Sequence, residues 1–296
     1  MILRVLKRLA ISDGNRQAPV PYLPGGRDMQ RYLIAAMVAA LPCFVVAIYY
    51  FGSRIVAMTA AAFFAVAAVE IAFGWVRRKP IGGGALVFAI LLVLILPPEI
   101  PLWMVALGAA FGAFFGKEVF GGTGHHVFSP VLLAKGFLMF SYPVVVKGSY
   151  FGSMLDFNPP NAWIICTAVT LLGAVAMIII RPANGLTLAG IFLAAGCVGW
   201  ALGATDRLGF DSPIQMLVVD GFLFSACFLA CDPACSPHTG IGKLIYGILI
   251  GSIAVLMRCF SNYSEAIMSA ILIGNLFTPI INIVTRTNVE LTREKG

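Results

Sequence analysis

Between Gly116 and Pro143 the chain gathers groups that bind ligands or carry charge. A glycine loop, Gly121-Gly122-Thr123-Gly124, is followed by His125 and His126, then by Ser129-Pro130 and an apolar run containing Lys135. Glycines without side chains let a ligand approach the backbone closely. Ser129-Pro130 reads as a helix N-cap followed by the first helical residue. Lys135 would be costly in lipid, so it must face protein, water or a ligand. Adjacent histidines on a helix point different ways, so His125 and His126 alone do not make a metal site.

Two further ionisable residues lie in apolar surroundings. Glu70 sits between Val69 and Ile71, well before the basic Arg77. Asp232 precedes Pro233, where it is either a turn former or a functional carboxylate at the membrane edge. Cys227, Cys231 and Cys235 recur every four residues and would share one helix face. An iron–sulfur site would want thiolates clustered in a loop or across subunits, so these three read as small packing residues. Gly82-Gly83-Gly84 has no phosphate-loop Lys-Ser/Thr after it and reads as a flexible helix entry.

The elements that must position these groups are membrane helices. The chain has 296 residues, 60% hydrophobic and only 11% charged, against about a quarter charged in soluble domains. A spanning helix needs about 20 apolar residues, and that ruler gives about ten spans. They are 32–51, 55–75, 83–98, 101–116, 127–146, 162–180, 184–202, 214–231, 241–259 and 265–284. The expected class is an all-α polytopic membrane protein. A basic segment 1–30 precedes a transmembrane domain 31–285 and a tail 286–296. No cleavable signal peptide is evident, and the chain contains no soluble module.

With ten spans, most Lys and Arg fall on one side, and only Arg54, Lys147, Arg207 and Arg258 on the other. The positive-inside rule then predicts both termini in the cytoplasm. The net charge of +7 is therefore topology rather than a nucleic-acid footprint. Proline-punctuated hairpins at Pro97–Pro101 and Asp232–Pro237 lie five spans apart and on opposite sides, which permits two inverted five-helix repeats.

Gly116–Pro143 (GKEVFGGTGHHVFSPVLLAKGFLMFSYP) also carries a resemblance, together with Leu96–Trp103 (LPPEIPLW), Ala230–Pro233 (ACDP), Lys243–Gly251 (KLIYGILIG) and Asn275–Pro279 (NLFTP). In matching order, these blocks resemble the NqrB component of Na+-translocating NADH:quinone oxidoreductase (Nqr) and the RnfD component of the related Rnf complex. The resemblance implies an integral subunit of an ion-translocating electron-transport complex in the bacterial cytoplasmic membrane. It implies partner membrane, flavin and iron–sulfur subunits, and quinone as a candidate acceptor.

By that resemblance, a non-covalent flavin (riboflavin or FMN) sits at Gly121, Gly122, Thr123, Gly124, His126, Ser129 and Lys135. His126 and Ser129 stand where the family has two asparagines, and Lys135 where it has an arginine. Lysine keeps the charge but loses bidentate geometry. Carboxylates matching Glu70 and Asp232 are implicated in cation uptake, and a third matches Asn282, which cannot carry a proton. The family threonine esterified to FMN has no counterpart in the loop from Val146 to Pro160, so no covalent FMN is expected. Two other readings remain open: a structural subunit without flavin, and a stand-alone transporter or channel on the same scaffold.

Overall fold

The structure, a computed structural model, describes residues 26–78, 84–124, 126–143, 145–146, 162–202, 221–261 and 265–294. His125 and the loop from Lys147 to Pro160 lie outside them. The described residues form ten α-helical segments and no strand. These are α1 (Gly26–Phe51), α2 (Ser53–Arg77), α3 (Ala85–Ile95), α4 (Leu102–Phe111), α5 (Pro130–Ser141), α6 (Ala162–Ile180), α7 (Asn184–Ala201), α8 (Phe222–Phe224), α9 (Gly240–Ser261) and α10 (Ala266–Glu294). α4 and α8 continue as π-helical stretches, Gly112–Glu118 and Ser225–Leu229.

Among the described residues, five helices are long and apolar enough to cross a membrane: α1, α2, α7, α9 and α10. Their outward faces stay apolar, with Phe64 69% and Trp200 88% exposed. An apolar surface of that kind suits lipid rather than water. The protein is a helical, multi-pass membrane protein. α10 continues to Glu294 as one helix.

α3 is only half a span. Its 11 residues rise about 16 Å, against about 30 Å of hydrocarbon. Pro97 disfavours helical geometry in the residue before it, and Leu96 is accordingly extended, with ψ 149°. The connection to α4 is nevertheless buried, with Leu96 and Ile100 fully enclosed. Arg54 makes that possible. Its guanidinium donates to the carbonyls of Pro98 (2.6 Å), Glu99 (3.0 Å) and Ile100 (2.9 Å), which would otherwise be costly at depth.

α8 and its π continuation form the second short element, ending at Leu229. The three cysteines therefore do not share a helical face. Cys227 lies in the π stretch, while Cys231 and Cys235 lie in the turns beyond it. Pro233 ends the helical run, and a four-residue spacing carries no facial meaning past that point. All three remain buried.

Close helix pairs hold the bundle. A Cβ at Gly112 would stand 2.5 Å from the Pro130 carbonyl, and one at Gly116 2.8 Å from Pro130 Cα. A Cβ at Gly190 would stand 2.7 Å from Leu244 O, and one at Gly247 would overlap Thr187 O. Small residues let backbones approach and gain dispersion contacts where lipid supplies no hydrophobic drive.

Candidate functional site

The glycine loop is a sharp reversal at the end of the first π stretch. Gly121, Gly122 and Gly124 take φ of 118°, 101° and 92°, values that residues with a Cβ rarely adopt. The Gly122 N–H caps Lys117 O at 3.0 Å, and the Gly121 N–H reaches Glu118 O at 3.1 Å. The reversal turns Thr123 and His126 back toward α3 and the Asp-Pro loop, 230–239.

A cleft lies there, with about 630 Å³ of empty space, part of it open to the surroundings. Its polar wall includes Tyr32, Lys117, Thr123, His126, Ser129 and Asp232, and its aromatic wall includes Phe88 and Phe228. The first turn of α3, from Gly84 to Phe88, closes one side. Helix N-termini favour negative charge on a ligand.

Two buried polar atoms in this wall, Thr123 Oγ1 and His126 Nδ1, have no hydrogen-bond partner among the described residues. Such atoms are uncommon in native proteins and point to a missing partner. The opposite nitrogen, His126 Nε2, lies 3.2 Å from Asp232 Oδ2. Asp232 Oδ1 accepts from the Ala234 N–H at 3.0 Å. Burial pushes the Asp232 carboxyl up, but the His126 charge and hydrogen bond, the Ala234 N–H and Arg181 outweigh it. The result lies below the ordinary 3.8.

Glu70 stands directly behind the cleft. Lys117 Nζ donates to Glu70 Oε1 at 2.5 Å, both side chains buried. Asn282 braces the neighbouring loop, its Oδ1 accepting from the His238 N–H at 3.0 Å. Burial holds His238 below its ordinary value, helped by Lys243 and Arg181.

Other sequence blocks converge on the same place. Asn275 accepts the Ser129 N–H at 3.3 Å and donates to Tyr246 O–H at 2.6 Å. Tyr32 O–H donates to Cys231 O at 3.0 Å. Ser129 precedes Pro130 as expected, yet its side chain makes no capping bond. Asn275 takes over the task of satisfying the backbone at this helix entry.

Of the predicted ligand residues, Thr123, His126, Ser129 and Asp232 line the cleft, and Glu70 reaches it through Lys117. Lys135 is not among the lining residues. Its Nζ donates to Ile95 O at 2.5 Å and pairs with Glu265 Oε1 at 2.7 Å, all deeply buried. It ties α5 to the end of α3 and the start of α10.

Sequence reasoning missed Lys117, Tyr32 and Glu265. Lys117 had a usable signal, because it is a cation beside the glycine loop with an intramembrane carboxylate to balance. Glu265, at the very start of an apolar helix, carried none.

Glycine reversal, half-length α3 and Asp-Pro turn all meet at this cleft. The sequence profile of the NQR2, RnfD, RnfE family matches residues 16–152 and 145–290. The chain belongs to this family. Similar proteins include the B-type component of Na(+)-translocating NADH-quinone reductase from Chromohalobacter salexigens, 34% identical over 72% of this chain and 61% of that protein. The corresponding components from Ectopseudomonas mendocina (33%; 75% of this chain, 64% of that protein) and Yersinia pestis (32%; 77% and 65%) are comparable. The chain thus spans between 61% and 65% of the length of these three relatives.

Proposed function

We propose that this protein is a membrane subunit of an Nqr/Rnf-like ion-translocating electron-transport complex, and that its cleft holds a flavin non-covalently. The observation that carries this reading is the pair of buried, unpartnered atoms, Thr123 Oγ1 and His126 Nδ1, in a cleft walled by Phe88 and Phe228. The donor set fits: aromatic faces suit a flat ring system, and hydroxyl and imidazole suit its polar edge. A flavin would supply one- and two-electron transfer there.

The chain's own residues position and insulate that group. His126 is held by Asp232 through Nε2, leaving Nδ1 as its free ligand-facing atom. The α3 N-terminal turn places positive potential on one side, while the charge of Lys117 is balanced by Glu70. The glycine reversal delivers Thr123 and His126 to the cleft, while Gly121, Gly122 and Gly124 are not among its lining residues. Lys135 contributes through α5 and α3 rather than by touching the ligand.

A cation path runs in this reading past Glu70, Asp232 and Asn282. Glu70 is already neutralised by Lys117, so a passing cation must displace that ammonium. Coupling then requires the pair to open in one redox state and close in the other. The topology that suits this is N-in and C-in, with α3 and α8 as equivalent short elements of two inverted repeats. In this reading Arg54, in the first turn of α2, and Arg181, just before α7, are their matching basic residues.

The test is a pull-down of the tagged protein from native membranes in mild detergent. Co-purification of flavin and iron–sulfur subunits, with a redox-active flavin spectrum, supports the reading. A flavin-free protein that transports solute alone contradicts it.

A further inference from the structure

A ring nitrogen of His126, a carboxylate oxygen of Asp232 and Cys235 Sγ lie within 4.8 Å of one another. They come from two loops, the glycine loop and the Asp-Pro loop. Both Cys235 (2% exposed) and His126 (8%) are buried. The spacing from His126 Nε2 to Asp232 Oδ2 is 3.2 Å. Ligands at about 2.0–2.1 Å from a tetrahedral zinc ion stand roughly 3.3 Å apart.

The orientation is also that of ligands. Asp232 uses Oδ1 on the Ala234 N–H, which aims Oδ2 at His126. Outer hydrogen bonds of this kind orient metal-binding carboxylates. Cys235 Sγ makes only a long contact, 3.9 Å, to His126 O. His126 Nε2, the ring nitrogen facing Asp232, is the one that would bind the ion, and it would trade its contact to Asp232 Oδ2 for the metal.

We propose that His126, Asp232 and Cys235 bind a divalent transition-metal ion of the zinc class. Thiolate, imidazole and carboxylate suit such ions and not the alkali or alkaline-earth cations, which prefer oxygen alone. Thiolate and carboxylate together carry two negative charges and neutralise the ion, although Arg181 acts electrostatically on Asp232. Three protein ligands leave a fourth position for water on the cleft side. The ion fastens the glycine loop to the Asp-Pro loop, residues 106 apart in sequence. This proposal does not depend on the flavin reading.

Protein purified without chelator is analysed for metal, then stripped and titrated with Co2+. The expected result is about one ion per chain and a thiolate-to-cobalt charge-transfer band. Cys235→Ser abolishes the band and weakens zinc binding by at least about tenfold. Cys235 does not line the cleft, so metal content and the band, not flavin, are the readout for that variant. Wild-type protein that yields neither metal nor band overturns the proposal, with no variant needed. So does a band that survives Cys235→Ser. Metal without flavin would overturn only the flavin reading, and flavin without metal only this one.

Discussion

His126 Nε2 lies 3.2 Å from Asp232 Oδ2, joining two loops 106 residues apart. This contact makes one site of two sequence motifs. Asp232 is held below its ordinary 3.8 despite burial. A carboxyl with a depressed folded value stabilises the fold above its unfolded value and loses that contribution as pH falls through the folded one. Asp232→Asn should therefore lower heat stability at neutral pH. The gap to wild type should close only below about pH 4, as followed by thermal unfolding in detergent across pH. A gap that closes at higher pH would contradict this.

Glu70→Gln leaves the Lys117 ammonium buried without its carboxylate. Breaking one side of a buried pair costs about 3–5 kcal/mol. The double change Glu70→Gln with Lys117→Met removes the stranded charge and should recover much of that loss. Comparing the unfolding of single and double variants checks the coupling.

Lys135 is separated from the cleft by its bonds to Ile95 and Glu265. Lys135→Met should destabilise the protein, because it takes the ammonium away from a buried Glu265, while flavin per folded chain stays at the wild-type level. Flavin lost in proportion to a direct contact, with normal stability, would place Lys135 in the cleft after all. Absorbance and thermal unfolding of the same samples separate the two.

Gly247→Val would drive a branched side chain into the Thr187 backbone. Overpacking of this kind costs about 1–3 kcal/mol, and α7 and α9 should part. Gly122→Ala meets no atom within 4 Å, yet sits at φ 101°. Its cost should be backbone strain in the loop, read as weaker ligand binding with little change in bundle stability.

Much of this was legible in the sequence. Hydropathy located the five long apolar helices, and the prolines at 97, 98 and 101 marked the short one. Glycine spacing announced the reversal at 121–124. What one dimension cannot carry is pairing across the bundle. Glu70 and Asp232 were visible as carboxylates, but their partners Lys117 and His126 are 47 and 106 residues away. Lys135 read as a ligand because it stands where the family has an arginine. Its helix, however, carries it up to Glu265, 130 positions later. The cysteine spacing misled for a local reason: the helix it presupposed ends at Leu229.

The most direct test is release of flavin from purified protein on denaturation, comparing wild type with His126→Phe and Thr123→Val. The account predicts flavin in the native wild-type protein, its full release on unfolding, and no fluorescence in the denatured band. Each variant loses one hydrogen bond worth about 0.5–1.5 kcal/mol, so its flavin should bind roughly two- to tenfold more weakly. Native wild-type protein without flavin, or flavin that stays attached after denaturation, would contradict it.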